Sequence, residues 1–146
     1  MILGKDSIFS YSICKGNVMP NDAEHHVRVG EFSVCMSKKT LYEFREEGDV
    51  ACLVIGLATC VSEEIGGMDW LWKHCHNIES FLDAEKFLGG KYVLFLRIKE
   101  HYYVMGDATC SIPVFYTKNE DAVLCSCYAY QMANEKQLTP DDTLLK

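Results

Sequence analysis

No apolar run in this 146-residue chain is long enough to cross a bilayer. The longest, Val50 to Ala58, is interrupted by Gly56, and a spanning helix needs about 20 residues. The opening Met1-Ile2-Leu3-Gly4-Lys5-Asp6 has no basic stretch ahead of a long apolar segment, so no signal peptide is expected and the chain is read as cytoplasmic. Positive charge is also scarce: Lys and Arg number 14 against 21 Asp and Glu, a net charge of −7. The densest basic stretch is Ser37-Lys38-Lys39. A surface of that sign repels phosphate backbones, so neither nucleic acid nor a membrane is expected as a partner. There is no GxGxxG, no P-loop GxxxxGK[ST] and no GxSxG, which argues against a self-contained nucleotide enzyme or serine hydrolase. Internal repeats and low-complexity segments are absent as well.

What the chain does hold is apolar bulk. Eight Tyr, seven Phe and two Trp, within an apolar share of 49%, are too much for a disordered chain and suit one compact domain. The eight cysteines are Cys14, Cys35, Cys52, Cys60, Cys75, Cys110, Cys125 and Cys127. Most sit inside apolar, strand-like runs, where a thiol behaves as a small buried hydrophobe. They are therefore read as reduced, not as a disulfide framework.

The order of elements follows from periodicity. Ile8 to Cys14 is β-rich, with a turn at Lys15-Gly16-Asn17 and a loop at Met19-Pro20-Asn21-Asp22. Val27 to Met36 alternates with a slip at Gly30-Glu31, which predicts a bulged strand or a short hairpin. Leu41 to Phe44 is a short strand, and Val50 to Leu57 is a strand buried on both faces. Leu71, Cys75, Ile78 and Leu82 then recur at helical spacing, which predicts one or two helices between Met68 and Phe87, broken near Asn77 and stopped by Leu88-Gly89-Gly90. Strands follow at Tyr92 to Ile98, His101 to Met105, Val114 to Tyr116 and Ala122 to Ser126, and a short helix at Tyr128 to Glu135. The late connections are too short for crossover helices, so the fold class is α+β with antiparallel sheets.

Few residues suggest chemistry by themselves. His74-Cys75-His76 cannot converge on one metal from a helix, and Cys125 and Cys127 face one side of a strand with no CxxC partner, so no metal site is expected. His25-His26, Glu46-Glu47 and Glu63-Glu64 read as solvated loop charges. Asp107 reads as an Asx-type brace that accepts N–H bonds within its own loop.

The most distinctive stretch runs from Leu88-Gly89-Gly90-Lys91-Tyr92 through Gly106-Asp107-Ala108-Thr109-Cys110-Ser111-Ile112-Pro113-Val114-Phe115-Tyr116. It resembles the late part of the glutaminase domain of asparagine synthetase and related class-II glutamine amidotransferases, and most closely a divergent branch of synthetase-like proteins. In that family a Leu-Asp-Gly-aromatic strand start precedes a hairpin and an Arg-Asp-x-x-Gly-x-(Lys/Arg)-Pro-(Leu/Ile)-(Tyr/Phe)-Tyr loop. Gly106, Asp107, Pro113 and Tyr116 carry this loop over, and Val50 to Val61 falls where the family has its Asn-Gly-Glu strand. The resemblance implies an N-terminal-nucleophile sandwich, two packed antiparallel sheets flanked by helices, over residues 1–137, with 138–146 beginning a linker.

The departures shape the functional expectation. A working member of the family exposes an N-terminal cysteine whose thiol attacks the glutamine amide, with the free α-amino group as base; here Ile2 stands second. The family's Asn and Glu fall on Ile55 and Leu57, either side of the retained Gly56, and its Asp falls on Gly89. The resemblance therefore implies a non-catalytic glutaminase-like domain of an ATP-dependent amide-forming enzyme, a structural or docking module with no catalytic residue and no cofactor. Its expected partner is a synthetase domain in cis or trans, and a homodimer is left open. The alternatives are an amidohydrolase using an internal cysteine, Cys14 or Cys110, and a free-standing interaction module.

Overall fold

The structure, a computed structural model, describes residues 9–16, 25–119 and 122–129. Nine strands and two short helices follow in the order β1 (Tyr11–Lys15), β2 (His25–Val29), β3 (Phe32–Met36), β4 (Tyr42–Glu47), β5 (Val50–Cys60), α1 (Gly67–Trp72), α2 (Ile78–Glu85), β6 (Leu88–Ile98), β7 (His101–Gly106), β8 (Phe115–Asn119) and β9 (Ala122–Ser126). They form a five-stranded sheet in the order β2-β3-β1-β9-β8 and a four-stranded sheet in the order β4-β5-β6-β7. Every strand pairing is antiparallel. The fold class is thus α+β, as the short connections require.

Strand alternation builds two cores on the faces of the four-stranded sheet. Ala51, Leu53 and Ile55 of β5, with Val93 and Phe95 of β6, join Tyr11, Ile13, Phe32 and Val34 of the other sheet in one cluster. The intervening Val50, Cys52 and Val54, with Leu94 and Leu96, join Met68 and Leu71 of α1 and Phe81 of α2. A strand between a sheet and a helical layer needs apolar residues at every position, which is why β5 reads as a continuous apolar run. Each such side chain stabilises the fold by about 1.5–3 kcal/mol.

The helical break falls at Asn77, whose side chain accepts from the Ser80 amide at 3.0 Å and caps α2. The slip at Gly30-Glu31 is a hairpin turn: β2 and β3 pair from His25 opposite Met36 to Val29 opposite Phe32, with Gly30 at φ 58°. Cys75 is fully buried and its thiol donates to the Leu71 carbonyl, while His76 beside it is exposed.

Leu88-Gly89-Gly90 needs correction. It does not stop a helix: α2 ends at Glu85, and Leu88 already pairs with Cys60 as the first rung of β6. The glycines lie inside a strand because the backbones of β5 and β6 run unusually close there. Gly90 (φ 128°) has its missing Cβ aimed into the Leu57 carbonyl, and Gly56 (φ 101°) has its own aimed into the Lys91 carbonyl. Within the β-rich stretch, Phe9 and Ser10 precede the strand, which begins at Tyr11, and Ile8 lies outside the described residues. The loop at 19–22, all but Tyr128 and Ala129 of the helix expected at Tyr128 to Glu135, and 138–146 also lie outside them. No helix among the described residues is long and apolar enough to cross a membrane.

Candidate functional site

The positions where the resemblance puts the lost glutamine-binding groups, Ile2 aside, fall on β5 (Ile55, Gly56, Leu57) and β6 (Gly89). Ile55, Leu57 and Thr59 alternate to one face of β5, opposite Val93, Lys91 and Gly89 respectively. Ile55 is fully buried in the core between the sheets, whereas Leu57 is 59% exposed two residues on. Gly56 between them donates its N–H to the Leu41 carbonyl at 2.8 Å, and Leu41 is itself exposed. This end of the sheet presents hydrocarbon. Polar side chains on these strands include the Thr59 hydroxyl, which reaches the Gly89 carbonyl at 3.5 Å, and exposed Lys91. Ile2 lies outside the described residues.

Asp107 is densely hydrogen-bonded. It follows Gly106, the last residue of β7, and is 4% exposed. Its Oδ1 accepts from the Thr109 amide (2.9 Å), the Thr109 hydroxyl (2.7 Å), and the Ser111 amide and hydroxyl (both 3.2 Å). Its Oδ2 accepts from the Tyr92 amide at 3.3 Å, and its own N–H donates to the Tyr92 carbonyl at 3.1 Å. Burial pushes the carboxyl up, but these bonds outweigh it and bring it down to about 2. The loop is therefore clamped onto β6 directly opposite Gly56, and the Asx-type brace is what Asp107 makes. Ile112 fills the space beside Gly56, and the Pro113 carbonyl accepts from the Tyr11 hydroxyl at 2.9 Å, which ties the loop to the other sheet. Tyr116 stands apart on β8, at the edge of the five-stranded sheet and 75% exposed.

Seven of the eight thiols are buried and all eight are free; Cys110 is the exposed one. Burial pushes Cys35 and Cys125 up to about 11. A hydrogen bond with Cys75, then burial, raises Cys52 well above the usual thiol range. Cys125 and Cys127 flank Tyr11, whose hydroxyl is 3.9 Å from the Cys125 sulfur and whose amide donates to the Cys127 sulfur at 3.4 Å. Burial and the nearby Cys125 push the Tyr11 phenol far up. These are conditions for inert packing groups.

The two cysteines expected as alternative nucleophiles differ in exposure. Cys14 is buried with its sulfur 3.4 Å from the Ser12 hydroxyl, and Cys110 sits in the open loop at φ 49°. His74 and His25, two of the five candidate bases, are engaged elsewhere: His74 Nδ1 lies 2.8 Å from the Ser80 hydroxyl, and His25 Nε2 lies 3.2 Å from the Lys38 carbonyl. The thiol that is drawn down is Cys60, at the end of β5. Burial raises it, but the Ser62 hydroxyl at 3.3 Å and the Glu63 and Ser62 amides lower it further than that. Sequence reasoning passes over Cys60 because, besides the Ser62 hydroxyl, its partners are backbone amides of a turn, which no side-chain pattern encodes.

The acidic pairs are exposed, but Glu46-Glu47 ends β4 and His25-His26 begins β2, so neither is the loop charge expected, because the strand pairing runs further than the apolar pattern. Glu46 lies 3.7 Å from Arg97 and Glu63 4.0 Å from Lys73. Among the described residues, no three His, Cys, Asp or Glu side chains gather where they could hold a metal ion. Comparisons with the models of known protein families, with curated proteins and with solved structures find no match for this chain.

Proposed function

We propose that this domain is a glutaminase-like scaffold of the N-terminal-nucleophile type that has no glutaminase chemistry, and that it serves as a docking module for a cytoplasmic, ATP-dependent amide-forming synthetase domain, in cis or in trans. One observation carries the reading. Ile55, Gly56, Leu57 and Gly89 lie on two neighbouring strands at one end of the four-stranded sheet, and none of them offers a group that binds an amino acid's ammonium. A substrate ammonium needs carboxylates, and its amide needs a nucleophile with an adjacent base. The replacements at Ile55 and Leu57 are hydrocarbon.

The test restores what the resemblance says is missing. Leu57 is exposed, and a side chain at Gly89 meets only the movable Val61 methyl, at 2.9 Å, so both positions accept substitution. The double variant Leu57→Glu/Gly89→Asp gains measurable glutamine binding by calorimetry, while the parent shows none. A double variant that folds and still ignores glutamine removes the glutaminase-like frame. A parent that releases ammonia from glutamine, and stops when one cysteine is changed, removes the inert reading instead.

A further inference from the structure

The helical layer carries a second feature, unrelated to the sheet end. A shallow groove of about 570 Å³ lies between the last turn after α1 and the outer side of α2, walled by Trp70, His74, Asn77, Glu79, Asp83 and Phe87. Its aromatic wall is built. The Trp70 ring lies 5.1 Å from the His74 ring and 6.0 Å from the Phe87 ring, edge to face with the latter. The Trp70 indole N–H donates to the Ala84 carbonyl at 2.8 Å, and His74 is set by Ser80, so both rings are held in orientation. Phe87 is 46% exposed, and next to it Val61, whose amide donates to the Phe87 carbonyl, is 71% exposed. The rim is acidic, and the Lys86 ammonium already rests 2.6 Å from Asp83. Glu79 is exposed beside it.

Aromatic faces under a carboxylate rim, on a chain of net charge −7, select a cation with an apolar stem. We propose that this groove receives an arginine side chain presented by a partner polypeptide. The planar guanidinium stacks on the exposed aromatic faces and donates to Glu79 and Asp83 at once, which a compact ammonium does less well. The stem and the neighbouring partner residues lie on Phe87 and Val61. Lys86 acts as a resident competitor: it holds one of the two carboxylates the guanidinium needs. This inference does not depend on the glutaminase-like reading.

The experiment titrates the full ¹⁵N-labelled chain with acetyl-Gly-Arg-Gly-amide, with its citrulline counterpart and with free arginine. The arginine peptide produces saturable shifts at the Trp70 indole N–H and the Ser80 and Phe87 amides. The neutral citrulline peptide, and free arginine with its repelled carboxylate, bind at least about threefold more weakly. Glu79→Gln and Phe87→Ala, both at exposed positions, weaken the arginine peptide. Lys86→Ala, which frees Asp83, tightens it by about two- to threefold. Equal binding of citrulline or of free arginine, shifts confined to another surface, no saturable response, or a Lys86→Ala variant that binds no better each overturns the proposal.

Discussion

From Val50 to Ile55 every residue of β5 is buried, whereas from Leu57 to Thr59 the same strand has two exposed residues, Leu57 at 59%. The hydrogen-bonded ladder to β6 continues without a break through both halves. What changes is the covering. The first half has a sheet on one face and the helical layer on the other; past Gly56, Ala58 still packs on the helical layer while Leu57 faces solvent. One strand thus contains a segment fixed by packing and a segment that the fold leaves chemically free. The boundary is the Gly56–Tyr92 rung, held by two glycines and by the Asp107 clamp.

The sharpest way to break this comparison is to shave a leucine from each half. Leu53→Ala removes a fully buried side chain from the core between the sheets and costs about 2–5 kcal/mol. Leu57→Ala changes stability by less than about 0.5 kcal/mol. Urea unfolding of the two variants checks both, and similar losses would erase the distinction. A smaller effect sits at the boundary. Gly90→Ala forces a Cβ against the Leu57 carbonyl at a φ of 128° and costs about 1–3 kcal/mol, with the loss visible as faster amide exchange along β5 and β6. The smallest effect is electrostatic. Asp107 is drawn from an ordinary 3.8 down to about 2, so the native state holds its carboxylate more strongly than the unfolded chain does. That contribution, about 1–2 kcal/mol, is present above pH 3.8 and is lost as pH falls through 2. Asp107→Asn removes this part of the acid sensitivity, and stability measured between pH 2 and 5 shows whether it does.

Legibility in the sequence follows the same boundary. The β2–β3 hairpin, the buried run of β5 and the break at Asn77 are local patterns that the structure keeps, but Leu57, expected to be buried, is exposed, and β3 is buried at every position instead of alternating. The strand role of Gly89 and Gly90 was hidden, because the need for glycine at 90 comes from the Leu57 carbonyl, distant in sequence. Asp107 was readable as a loop brace since Thr109 and Ser111 lie within four residues, but its grip on Tyr92 depends on register. Cys60 and the Trp70 groove were not readable: the first is made by the Ser62 hydroxyl together with turn amides that only the folded turn aligns, and the second by a helix pair whose relative placement no periodicity fixes.

The distribution of thiols has a practical outcome for handling the protein. With one sulfur in the open and seven shut inside, an alkylating reagent counts one residue while the chain is closed and more only as it opens, so the stoichiometry of labelling becomes a clock for breathing of the sandwich. In air, an opened chain with eight reactive groups cross-links at random. Heating without reductant therefore runs one way, and the midpoint of such a scan moves with heating rate.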